Sequence, residues 1–234
     1  MLCSLMLLST AGFVALGLWQ VERLSWKRHL IALVDQRVHA VPALAPTRRP
    51  VSAADDEYRR IVATGTLQND KETLVYASTE LGPGFWVMTP LSLGDGQTVL
   101  INRGFVPTYR RDPQTRPEGQ VSGQVTITGL MRMTEPKGSL LKSNDPASGR
   151  WYSRDVAAIA AQKHVTGAAE YFIDADKTPN PGGLPVGGLT RIVFANNHLV
   201  YAITWFGLAL MMAGLLAFVI RSEIRRQWPW QSSG

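Results

Sequence analysis

Two stretches without a single ionisable side chain constrain this chain more than any other feature. Met1 to Gln20 contains no Asp, Glu, Lys, Arg or His, and neither does Leu199 to Ile220. Each is long enough to cross about 30 Å of hydrocarbon at about 1.5 Å of rise per residue. Overall, 45% of residues are hydrophobic and 18% charged, but that average hides the segregation of apolar residues into the two runs. Between them lies ordinary polar sequence of about 170 residues, a usual size for one domain. The expectation is an α+β membrane protein, two transmembrane helices flanking one extramembrane domain.

Function classes narrow quickly. The single cysteine, Cys3, rules out an intramolecular disulfide. The net charge of +6 is mild and scattered, so it does not argue for nucleic-acid binding. The first run has no basic n-region and exceeds a usual h-region, which reads as an uncleaved anchor; the small triplet Ala43-Leu44-Ala45 lies too far beyond it to serve as a cleavage site. Arg221, Arg225 and Arg226 follow the second run and place both termini inside by the positive-inside rule. Arg23, Lys27 and Arg28 pull the other way, but long domains translocate largely regardless of charge.

The segments expected are a membrane helix over 1–20, an amphipathic stalk helix over 21–41, a proline-rich linker over 42–57, a β-rich domain over 58–197, a second membrane helix over 198–220 and a cytoplasmic tail over 221–234. Val21, Leu24, Leu30, Ile31, Val34 and Val38 form the apolar stripe of the stalk. Asp55-Asp56-Glu57 reads as a solvated charge cluster. Beyond it the pattern shortens to β-like runs at Arg60–Leu67, Thr73–Ser78, Phe85–Leu93, Thr98–Val106, Gln124–Met133, Trp151–Ser153 and Glu170–Asp174, with a further strand expected at Thr190–Ala195. Gly94-Asp95-Gly96 marks a tight hairpin turn, and Asp155 caps a helix running to about His164. The domain reads as a mainly antiparallel β structure, either an open sheet or a partly closed barrel, with one or two helices.

Familiar soluble-enzyme signatures are missing. The glycine-rich run Pro181 to Gly188 lacks the Lys-Ser/Thr ending of a phosphate loop. There is no Gly-x-Ser-x-Gly, His-Glu-x-x-His or Cys-x-x-Cys. Asp174 and Asp176 alternate at a strand end and read as exposed decoration, since a hard cation needs more oxygen ligands than this pair supplies. A membrane enzyme would need acidic metal-binding clusters or several ligating histidines, and neither run carries them.

The informative stretch is Asn196 to Trp205. His198 opens the second apolar run, and His198, Tyr201 and Trp205 share a helical face over about 10 Å of rise. Trp19, where the first run ends, belongs at similar depth, with Arg23, Lys27 and Arg191 just beyond. Two readings fit. One is an interfacial aromatic belt with Asn196-Asn197-His198 capping the helix. The other is a porphyrin site, in which an imidazole supplies an axial nitrogen to iron, aromatic rings flank the macrocycle and basic groups meet the propionates. Composition does not choose between them.

Five strings in order resemble the Surfeit locus protein 1 family, the Shy-type cytochrome c oxidase assembly factors, in a bacterial member. They are Leu18 to Arg23 with Trp26-Lys27, Gly84 to Leu91, Val99 to Pro107, Phe172 to Ala175 with Pro181-Gly182-Gly183, and Asn197 to Gly207. The resemblance implies a non-catalytic assembly factor in the bacterial plasma membrane, with its central domain periplasmic. It also implies haem a binding, delivery of that haem to oxidase subunit I, and contact with the haem a synthesis machinery and the lipid bilayer. His198 matches the family histidine proposed as iron ligand, and Trp205 the neighbouring tryptophan. Trp19 and Tyr201 are then expected to border the macrocycle and Arg23 or Arg191 to meet a propionate. Acidification should weaken ligation, because a protonated imidazole has no lone pair to give. A cofactor-free scaffold holding subunit I is the alternative. Arg103, with Gly104 permitting a turn, is expected to define the fold and to offer part of a surface docked on subunit I.

Overall fold

Leucine and alanine, with no proline or central charge, carry the first run straight through the basic stretch beyond it as one helix, α1 (Leu2–His39), in the computed structural model. The model describes residues 1–227 apart from 48, 137, 140 and 141. Pro42 stops α1 soon after its last turn, which holds Arg37 and His39 at the negative end of the helix dipole. The closing helix runs from His198 to Gln227 and so continues past Ile220 into the expected tail; residues 228–234 of that tail lie outside the described residues. Both terminal helices are long and apolar enough to cross a membrane. Leu5, Leu8, Leu210, Met211 and Phe218 are all more than half exposed, which suits surfaces wetted by lipid rather than water.

The chain divides into a helical unit, Met1–Leu33 with Val193 onward, and a β unit, Val34–Ile192. In the helical unit small residues let the two backbones approach. Gly17 is buried beneath the Phe206 ring, and a Cβ there would lie 2.6 Å from Phe206 Cε1. Ala202 and Ala209 are buried on the second helix. Close approach through small side chains is how membrane helices gain packing, since lipid supplies no hydrophobic drive.

In the β unit the strands are β1 (Ala43–Leu44), β2 (Arg60–Leu67), β3 (Thr73–Thr79), β4 (Gly82–Ser92), β5 (Thr98–Pro107), β6 (Gln124–Met133) and β7 (Ala168–Ala175). Their order is β1-β2-β6-β7-β5-β4-β3. A second pairing of β2 with β4, Thr66 opposite Ser92 and Leu67 opposite Leu91, closes five of them into a barrel. Of the two forms open to the sequence, the barrel is the one adopted. Pairing is antiparallel except for β1–β2 and β5–β7. A parallel pair needs a long crossover, and the connection from β5 to β7 runs through β6 and a crossover helix, Val156–Gln162, with the Asp155 side chain accepting from the Ala158 N–H.

Alternation along the strands makes separate cores, a small one of Phe85, Val87 and Val106 and two larger ones. Ile61, Leu91, Val99, Ile101, Met131 and Ile173 form one cluster. Met88, Leu100, Trp151, Val156, Ile159 and Phe172 form another, between the sheet and the crossover helix. Strand β5 is therefore covered on both faces, the reason its sequence is a continuous apolar run. Gly104 does not make a turn but sits within β5 at φ +127°, where a Cβ would lie 2.2 Å from the Val186 carbonyl oxygen. Only glycine admits the returning chain at that distance.

Three expectations are corrected. Trp151–Ser153 forms no strand: Trp151 makes a single bridge to Val75 and is otherwise core. Thr190–Ala195 joins no sheet among the described residues; the Thr190 hydroxyl instead donates to Asp174, and β-branched composition alone does not make a ladder. The stretch over 42–57 remains a connection, with β1 and the Ser52-capped turn at Ala53–Asp56 along it. The cluster Asp55-Asp56-Glu57 is not a solvated one: Asp56 is 1% exposed and accepts from Arg49, Arg59 and the Ser52 N–H, while Glu57 accepts from Arg132 and the Met133 N–H.

The Arg49 guanidinium, reinforced by Ser52 and Arg59, holds the Asp56 carboxyl well below the usual carboxylate range against the opposing effect of burial. A carboxyl lowered in the folded state stabilises it fully above its unfolded pKa and loses that contribution as pH falls toward the native value. Acid unfolding followed by circular dichroism should therefore begin at a higher pH in wild type than the native Asp56 value alone would set. In Asp56→Asn the pH dependence in this acidic window should flatten while stability at neutral pH falls.

Candidate functional site

An imidazole at the mouth of an apolar helix must satisfy two ring nitrogens with few polar neighbours. His198, the first residue of the second long helix, meets this through Gln20 on α1: its Nδ1 lies 2.7 Å from Gln20 Oε1. Gln20 itself is buried, at 8% exposure. An amide oxygen only accepts, so Nδ1 is the donor of this pair, and in the neutral ring that tautomer places the lone pair on Nε2. That is the arrangement found in metal-ligating histidines, where a partner on one nitrogen fixes the tautomer and aims the other.

The aromatic residues separate. Trp205 stacks on Phe13 with ring centroids 5.8 Å apart and planes 24° from parallel. Tyr201 and Trp19 are about half exposed, at 54% and 50%. The helical face read from the sequence thus divides, with His198 and Trp205 against α1 and Tyr201 turned outward. Beyond Gln20, the Arg23 guanidinium covers the Trp26 ring at 4.8 Å and the Lys27 ammonium lies 5.3 Å from the Phe194 ring centroid. Gln20 was not singled out in the sequence, although a signal existed. Phe13, Gly17, Gln20 and Leu24 recur at intervals of four, three and four, the spacing of a helix seam, so an amide in that register faces a partner helix.

Arg191 belongs to the β unit. Its side chain is 73% exposed, 4.0 Å from Glu80, at a polar cleft of about 380 Å³ whose wall includes Trp86, Asn102, Arg132, Arg154 and Asp174. Asp174 is no exposed decoration: at 3% exposure it accepts four hydrogen bonds. Asn102 Nδ2 donates at 2.7 Å and Arg154 Nη1 at 2.9 Å to one oxygen, Arg132 Nη1 at 3.1 Å and the Thr190 hydroxyl at 3.0 Å to the other. Arg132 also holds Glu57, and Arg154 holds Glu135. Burial pulls both guanidinium groups down, but Asp174 and their second carboxylates more than offset it, so both stay firmly charged. The pattern missed the hub because its members come from β5, β6, β7 and two loops.

Arg103 is 2% exposed, with Nη2 donating to the Gly119 carbonyl and Asn180 Oδ1. It is an internal strut and presents no docking surface, which corrects the expectation for it. Among the described residues no group of three or more His, Cys, Asp or Glu gathers as a metal site.

The model of the SURF1 family matches residues 7–210. Surfeit locus protein 1 of Mus musculus is 38% identical over 87% of this chain and 70% of its own length. The proteins of that name from Xenopus tropicalis and Homo sapiens are each 37% identical, over 87% and 88% of this chain and 71% and 72% of their own lengths.

Proposed function

Because the chain belongs to the SURF1 family, we propose that it is a non-catalytic assembly factor for a haem a–containing cytochrome c oxidase. In this reading it holds haem a through His198 and hands it to subunit I. The observation that carries the reading is the pairing of His198 Nδ1 with Gln20 Oε1 at 2.7 Å, which would leave Nε2 as the nitrogen offered to iron. A single imidazole donor would suit transfer of a cargo better than a closed set of protein ligands. Trp19 and Tyr201, exposed beside an apolar helix pair, offer flat surfaces to a porphyrin face, and Arg23 offers a cation to a propionate.

The two terminal helices anchor the chain in the lipid bilayer. Arg221, Arg225 and Arg226 favour cytoplasmic termini, and hence a periplasmic β domain in a bacterial plasma membrane. Cargo would come from the haem a synthesis machinery.

The deciding experiment is an absorption spectrum of the detergent-purified full chain, co-expressed with haem a synthesis. A reduced haem a band is expected in wild type. Gln20→Leu should keep the helices packed yet lower haem affinity by about 10–100-fold, the usual cost of losing a ligand's orienting partner. A colourless wild type, co-purifying with subunit I from cells that contain haem a, would replace the carrier by a cofactor-free scaffold.

A further inference from the structure

A second cavity of the β unit, also about 380 Å³, opens between β3, the end of the crossover helix and the turn at Pro146–Ser148. Its lining combines aromatic surface with an excess of cations over carboxylates. Phe85 and Trp151 are nearly buried there, whereas Tyr76 stays 48% exposed although it stacks on Tyr152 at 5.1 Å and leans on Phe85 at 4.7 Å. Exposed tyrosine on a rigid aromatic base is a surface that gains by being covered.

The charges are unbalanced. Three cations line the cavity, Arg111, Arg150 and Lys163, and one carboxylate, Glu72. Glu72 is spent on the buried Arg116, and Arg150 on Asp145 at 2.9 Å. Arg111 and Lys163 make no ion pair among the described residues; Arg111 only overlies Phe85, at 5.9 Å. On the same wall Gln162 Oε1 is shielded from solvent without a hydrogen-bond partner, while its Nε2 donates to the Pro146 carbonyl. A buried acceptor left unpaired is unfavourable, so an occupant bearing an N–H is favoured.

We propose that this groove docks an acidic segment of a partner polypeptide, one with an apolar or aromatic residue beside its carboxylates. Carboxylates answer Arg111 and Lys163, a backbone N–H answers Gln162 Oε1, and the neighbouring side chain covers Tyr76 and Phe85. An inorganic anion would meet only the first demand. The site is separate from His198 and its test needs no haem.

The probe is a fluorescein-labelled peptide, Glu-Phe-Asp-Glu-Phe-Asp, titrated with the full chain in detergent at low salt and followed by anisotropy. Saturable binding is expected that weakens as salt rises. Arg111→Glu, Lys163→Glu and Tyr76→Ala should each weaken it at least tenfold, with thermal unfolding unchanged. If Lys163→Glu alters unfolding, Lys163→Ala takes its place. The amide peptide Gln-Phe-Asn-Gln-Phe-Asn should bind at least tenfold more weakly. Absence of saturable binding, or binding indifferent to the charge reversals, overturns the proposal. So does displacement of the peptide by inorganic phosphate or by dioctanoyl-phosphatidylglycerol at lower concentration than by unlabelled peptide; the groove would then be an anion or lipid-headgroup site.

Discussion

His198→Ala should erase the reduced haem a band of the purified protein, with a loss of affinity exceeding the about 10–100-fold expected from its orienting partner Gln20. Gln20 sets the tautomer and direction of the imidazole, whereas Nε2 of His198 would make the bond itself. Removing the donor therefore removes the term that Gln20 only modulates. The substitution leaves an alanine at the first turn of a 30-residue helix, a residue of high helix propensity, so the hairpin should persist. Adding free imidazole to the variant should restore part of the band by filling the vacated coordination position, a response that a merely misfolded protein would not give. Assembled oxidase in the host membrane should fall in parallel. A band of wild-type intensity in His198→Ala would end the assignment of this residue as ligand.

Asp174→Ala should destabilise the β domain by about 3–5 kcal/mol, the cost of removing one partner from a buried charge pair. Against a total stability of about 5–15 kcal/mol this is a large fraction. Arg132 would keep Glu57 and Arg154 would keep Glu135, but each would lose the oxygen that Nη1 now uses, and Asn102 and Thr190 would lose their acceptor as well. Asp174→Asn should cost less, because it retains one acceptor oxygen in the same space. Glu135→Ala should cost less again, since that side chain is 36% exposed and water can replace it. Thermal unfolding of the three variants, read by near-ultraviolet circular dichroism, orders them. A shift in Asp174→Ala no larger than in Glu135→Ala would show that the hub contributes little beyond its outermost pair.

The elements most legible in the sequence were those whose side-chain pattern is set by their immediate surroundings. The uncharged runs mark the two long helices because hydrocarbon tolerates no unpaired charge over that length. Arg60–Leu67 and Gln124–Met133 are strands over the residues their alternation marks, since one face is core and the other is not. Asp155 caps its helix because a carboxylate before a helical run has a free N–H to meet two or three residues later.

What tertiary structure alone decided is which distant residues meet. Barrel closure depends on two residue pairs between β2 and β4, and no local pattern encodes that register. Asp174 and the Asp55-Asp56-Glu57 cluster look like solvent-facing charge in sequence, because the arginines that justify their burial lie up to 42 and 75 residues away. Gln20 and His198 stand 178 positions apart. Hydropathy and periodicity report the medium around each residue, and that much the sequence determined by itself. A buried polar group is tolerated only where its partner arrives, and the fold alone brings the partner there.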